Sequence, residues 1–92
     1  MIVYAEVECH IYEAQSLKEK RSVLQRLIHH IRQDFNVSIA EIDYQSLWQR
    51  TKLAIVTVSN DGTHAEQVIQ KVLKRIDHYT ELERTITSVE RL

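Results

Sequence analysis

Apolar and polar side chains alternate along the first dozen residues: Val3, Ala5, Val7, Cys9 and Ile11 on one side, Tyr4, Glu6, Glu8, His10 and Tyr12 on the other. Successive side chains of a strand point to opposite faces, so this pattern predicts a half-buried strand over 2–12. The period then changes. Leu17, Leu24, Leu27, Ile28, Ile31 and Phe35, with Val23 beside them, recur at helical spacing and predict an amphipathic helix running to about Asp34. Ser16 and Glu19 stand at its start as S-x-x-E, the pairing in which a hydroxyl and a carboxylate satisfy free backbone N–H groups of the first turn.

Asn36 can end that helix, and residues 37–43, Val-Ser-Ile-Ala-Glu-Ile-Asp, are rich in the branched side chains that suit a strand. Residues 44–49 read as a hairpin turn, because 52–59 is again branched and alternating with no room for a helix between. At the centre of this run both parities are apolar, Ala54, Val56 and Val58 against Leu53 and Ile55, which predicts a strand covered on both faces. Asn60-Asp61-Gly62 is a turn, and Asp61 or Thr63 can cap a second helix. Ala65, Val68, Ile69, Val72, Ile76 and Tyr79 carry its apolar stripe to about His78. Residues 84–91, with Thr85, Ile86, Thr87 and Val89 between charged ends, read as a final edge strand.

The order strand, helix, strand, strand, helix, strand, with right-handed crossovers, predicts an α+β ferredoxin-like βαββαβ sandwich: a four-stranded antiparallel sheet with two helices on one face. The first and third strands are central in that arrangement, and the other face carries no helix. Tyr4, Tyr12, Leu53 and Ile55, or their neighbours of opposite parity, are then expected to meet solvent there. Apolar side chains rimmed by Glu6, Glu8 and His10 match the anatomy of a protein interface. A homodimer stacked sheet on sheet through Tyr4, Tyr12, Leu53 and Ile55 would hide them by one symmetric contact.

Composition narrows the rest. With 92 residues and 43% apolar content the chain builds one core, a single domain over 1–92. The lone Cys9 cannot form a disulfide within the chain, and its inward parity marks it as a buried thiol rather than a nucleophile. No charged-then-apolar leader and no run of about 18 apolar residues occurs, which reads as a cytoplasmic protein without a membrane partner. A net charge of −1 means that any affinity for nucleic acid must be local. It is concentrated on the first helix, where between Leu17 and Gln33 the basic residues Lys18, Lys20, Arg21, Arg26 and Arg32 meet a single acid, Glu19. Phosphates are held by several cations at backbone spacing without any reading of sequence. These five residues with Arg50 form a candidate RNA-binding set, its partner ribosomal RNA or a ribosomal particle. Glu6 and Glu8 argue against the sheet as a base-stacking platform.

Glu41 and Asp43 share one side of a regular strand and with His10 or His64 could hold a cation or act as acid and base, but their alternation is better matched by cross-strand Arg50 and Lys52. His29 and His30 point about 100° apart on a helix and cannot share one ion. No catalytic residue, metal or cofactor is assigned. Trp48 reads as the aromatic plug of the hairpin, with an exposed anchor for a partner as the alternative.

The motifs SLKEKR at 16–21, FNVSIAEID at 35–43, LWQR at 47–50 and VSND at 58–61 resemble the YlxP-like family, small bacterial proteins described as a domain of unknown function. The resemblance implies a ferredoxin-like fold, a bacterial cytoplasmic protein, and a gene kept among those for translation initiation and ribosome maturation factors. It supplies no catalytic residue. Tyr44 stands where similar sequences often have histidine, which weighs against proton transfer or metal binding at the hairpin. The expectation is a non-enzymatic RNA- or ribosome-associated binding protein. The alternative is a homodimeric protein-interaction module using the open sheet face, with an enzyme or metal-dependent role third.

Overall fold

The computed structural model describes all residues from Met1 to Leu92. Strand β1 spans Ile2–Ile11, helix α1 Leu17–Asp34, β2 Ser38–Asp43, β3 Arg50–Val58, helix α2 Gly62–Asp77 and β4 Leu82–Arg91. The strands lie in the order β2-β3-β1-β4, every neighbouring pair antiparallel. Both helices cover one face. This is the ferredoxin-like βαββαβ sandwich that the alternation and the helical stripes predict.

The core follows from parity. Val3, Ala5, Val7, Cys9 and Ile11 point from β1 to the helices and are buried against Leu24, Leu27 and Ile31 of α1 and Ala65, Ile69, Val72 and Ile76 of α2. Each fully buried Val, Leu or Ile contributes about 1.5–3 kcal/mol relative to exposure. Register decides the central ambiguity of β3. Ala5 stands opposite Ile55 and Val7 opposite Leu53, and directly opposed residues share a face, so Leu53 and Ile55 join the core. Both are fully buried, and neither belongs to a dimer interface on the open face. Ala54 and Val56 take the outer positions half-buried and Val58 is exposed, so β3 is covered on one face only. Tyr4 is half-buried and Tyr12 exposed on that outer parity, as expected.

The helix ends use the predicted caps, with one difference. Ser16 Oγ accepts from the Glu19 N–H at 3.1 Å, but the Glu19 carboxylate accepts from Gln15 N–H, one residue ahead of the cap. Asp61 accepts from the N–H groups of Thr63 and His64 and caps α2. Strand β4 starts two residues earlier than predicted because Leu82 is drawn into the core opposite Ile11. Two bulges interrupt the ladders, one at Glu8/Cys9 against β4 and one at Glu41/Asp43 in β2.

Candidate binding site at the hairpin end

The site begins with a lysine in a leucine's place. Leu17, Lys20, Leu24, Leu27 and Ile31 follow one helical stripe, and Lys20 is 1% exposed. Its stem lies in the core and its ammonium emerges beneath the β2–β3 hairpin. There Nζ donates to the Tyr44 carbonyl at 2.7 Å and the Leu47 carbonyl at 2.7 Å, and pairs with Glu41 Oε2 at 2.9 Å. An ammonium carries three N–H donors and this one uses all three. Glu41 also accepts from Thr51 Oγ1 at 2.6 Å. Lys20 is therefore a structural cation and not part of a phosphate-binding face.

Further bonds fix the hairpin. The Leu47 N–H donates to the Tyr44 carbonyl and the Ile11 N–H to the Gln49 carbonyl, each at 3.0 Å, while Gln49 Nε2 donates to the Ala14 carbonyl at 3.1 Å. Tyr44 adopts a left-handed backbone, φ 63°, a conformation that costs a non-glycine residue about 1–2 kcal/mol. Its ring supports the Arg50 guanidinium, whose Cζ lies 3.9 Å from the ring centre, and Arg50 Nη2 donates to Glu8 Oε1 at 2.8 Å.

On this pinned base, Leu47 and Trp48 turn outward, 45% and 50% exposed. The plug predicted for Trp48 is thus replaced by a presented indole, because the core beneath the hairpin is already filled by the Lys20 stem and its acceptors. A groove of about 620 Å³ runs beside the indole, lined among others by His10, Gln15, Trp48 and Arg50.

The predicted basic helix does not survive as one patch. Lys18 and Arg21 are exposed and form no ion pair. Arg26 pairs with Glu81, whose carboxyl is held below its ordinary range by that hydrogen bond. Arg32 spends one N–H on the Ile39 carbonyl at 2.8 Å. Arg50 reaches the site from β3, remote in sequence. The carboxylates also part company. The bulge sends Glu41 to the helix side opposite Leu53 and Asp43 to the outer side opposite Lys52, where Asp43 accepts from the Tyr44 N–H. Lys52 pairs instead with Glu6 at 3.0 Å, a hydrogen bond that raises the lysine pKa and lowers that of the glutamate. No group of three or more His, Cys, Asp or Glu side chains is placed to hold a metal. Burial pushes the Cys9 thiol up to about 12. Sequence reasoning missed the anchoring role of Lys20, although its position three residues after Leu17 and four before Leu24 was the available signal.

The family model described as protein of unknown function, DUF503, matches residues 2–89. The chain belongs to the DUF503 family. Among DUF503 relatives, the uncharacterized protein YlxP of Bacillus subtilis (strain 168) is 52% identical over 90 residues, covering 98% of each chain. Among solved structures, a de novo designed protein with a ferredoxin fold superposes with a TM-score of 0.63 at 15% identity, covering all of this chain and 87% of the design. A C-terminal segment of the alpha subunit of aIF2 from Pyrococcus abyssi superposes with a TM-score of 0.56 at 16% identity, covering all of this chain and 50% of that one. Both likenesses establish the DUF503 chain's fold. No helix is long and apolar enough to cross a membrane.

Proposed function

We propose that this DUF503 protein is a non-enzymatic binding protein of the bacterial cytoplasm that associates with RNA, in its ribosomal setting, through the hairpin end of the molecule. The observation that carries the reading is Trp48, half exposed on a hairpin that Lys20 holds from below. A rigid exposed indole beside a stacked guanidinium is the arrangement on which an unpaired base stacks, whatever its identity. Arg50, its charge shared with Glu8, lines the groove. Lys18 and Arg21, in the first turns of α1, supply charge on the helix. The interface is thereby re-centred from the length of α1 to its beginning, and of the six predicted cations Lys20 leaves the set.

Trp48 is the only tryptophan of the chain, so its fluorescence reports directly on this surface. Titration with a single-stranded oligoribonucleotide, or with ribosomal particles followed by sedimentation, is expected to quench the emission. Rising salt should weaken binding. Reversing Lys18 and Arg21 to Glu is expected to weaken it at least tenfold. Unchanged emission at saturating RNA, together with wild-type co-sedimentation of the double reversal, would remove the reading.

A second reading, a homodimeric protein-interaction module using the open sheet face, is favoured by one observation. Ile2, Tyr4, Ala54, Val56 and Val58 form a continuous outer apolar row, ended by the Glu6–Lys52 and Glu8–Arg50 pairs. A protein partner stacked on that row would exclude charge from its centre. Lysine at Val56 is expected to abolish such stacking without touching the core, and a mass in solution indifferent to V56K rejects it.

A further inference from the structure

The groove beside Trp48 is short of free positive charge. No carboxylate lines it, and Arg50 is its one permanent cation. That guanidinium lies over the Tyr44 ring, and its Nη2 already donates to Glu8 Oε1 at 2.8 Å. A phosphodiester entering the groove needs a cation that is not already shared. His10 is the other lining side chain able to carry positive charge.

Register brings His10 and Arg50 together. They are directly opposed in the β1–β3 ladder, and the adjoining Ile11 N–H donates to the Gln49 carbonyl. Bonded and unbonded pairs alternate along an antiparallel ladder. His10 and Arg50 are therefore an unbonded pair, the kind whose Cα atoms stand only about 4.5 Å apart. The two turns that wall the groove each hold a non-glycine residue in left-handed backbone, Glu13 at φ 60° and Tyr44 at φ 63°. Such conformations persist where the surroundings over-determine them, and they gather at ligand sites.

The acids around His10 are engaged elsewhere. From β4 it is opposed by Glu83, whose carboxylate accepts from the Tyr12 hydroxyl. On its own strand stand Glu8, bound to Arg50, and Tyr12, whose ring meets the imidazole edge-on with centres 4.9 Å apart. Both helices lie on the other face of the sheet.

We infer that His10 is a conditional phosphate contact of the hairpin end: a single-stranded RNA that stacks a base on Trp48 lays a phosphate between His10 and Arg50, and is held more tightly when the imidazole is protonated. Imidazole changes charge between about pH 5 and 8, and no other side chain lining the groove does so. This role rests on RNA binding at the hairpin end.

The test is a titration of Trp48 fluorescence with an oligouridylate, whose bases keep their charge over this range, near either end of it and at several salt concentrations. Toward acid the wild-type affinity is expected to rise about three- to fivefold, the effect of one exposed ion pair. The dependence of log affinity on log salt should steepen by about 0.7, one further phosphate contact on a single strand. His10→Gln, which cannot take the charge, is expected to lose both responses and to bind more weakly than wild type in acid. His10→Lys, charged throughout, should bind more tightly than wild type at the alkaline end. Far-ultraviolet circular dichroism checks that both variants are folded. An affinity and salt slope that ignore pH while the oligouridylate still binds overturn the role of His10 and leave the RNA reading standing. A full response surviving in H10Q overturns it too, and moves the effect to the histidines of the helices. No binding at any pH removes the RNA reading and this role together.

Discussion

Lys20 occupies a core position because its charge is fully partnered and its stem is apolar. Removing one partner of a buried, hydrogen-bonded pair costs about 3–5 kcal/mol, because the remaining charge stays desolvated. Lys20→Ala is expected to lose stability toward the lower end of that range, since Glu41 keeps some access to water and the Thr51 hydroxyl. Urea denaturation checks the size of the loss. Lower fluorescence anisotropy of Trp48 in the folded variant would show that the hairpin loosens with it, whereas an Arg26→Ala change should leave that anisotropy alone. Cys9 makes a second residue-scale prediction. With its thiol buried and its pKa pushed up to about 12, it is expected to resist alkylation in the native protein at neutral pH and to react fully in denaturant. Rapid native labelling would mean that β1 opens near its bulge.

Among the elements, the end of α2 is tied to the start of β4 by one forked pair. Arg84 Nε and Nη2 donate to the two Asp77 oxygens at 2.7 and 2.8 Å. This hydrogen bonding holds the Asp77 carboxyl below its ordinary range. A carboxylate whose pKa is depressed by folding stabilises the fold above the ordinary carboxylate range, and that contribution is lost as pH falls through the depressed value. Asp77→Asn should therefore destabilise at neutral pH, by less than about 1 kcal/mol because the pair is partly exposed. The difference from wild type should shrink as pH falls through that depressed value and vanish below it. A difference that persists in acid would assign the effect to packing instead.

The same scale shows what could be read in advance. The period-two run of β1 and the period of α1 located both elements, since each buries one face and exposes the other. In β3 the parities were equally apolar, so the sequence could not say whether Leu53 and Ile55 or Ala54 and Val56 faced inward. Pairing with β1, a long-range fact, decided it. The bulge that separates Glu41 from Asp43 carries no local signal either, and it dissolved the one candidate acid pair.

At the scale of the whole molecule, three surfaces differ in character: a helical layer, an open sheet, and an end built from the hairpin and the start of α1. The basic concentration in Lys18–Arg32 was plain in the sequence, but its division between a buried anchor, a carboxylate partner, a carbonyl and two free cations depends on elements far along the chain. The site at the hairpin was legible only in its members, Trp48 and Arg50, and not in its geometry, because the residue that shapes it lies on α1.

That anchor also makes the molecule a recorder of its own opening. An acylating reagent meets Lys18, Lys71 and Lys74 at the surface, but it can meet Lys20 only while the hairpin is lifted away. When lifting is fast compared with acylation, the slow modification of Lys20 relative to Lys18, followed peptide by peptide in a mass spectrometer, reads out the free energy of that local excursion. A ligand seated beside Trp48 should slow it further. Equal rates at Lys18 and Lys20 would mean that the hairpin spends its time open, and that whatever binds there must first bring it to rest.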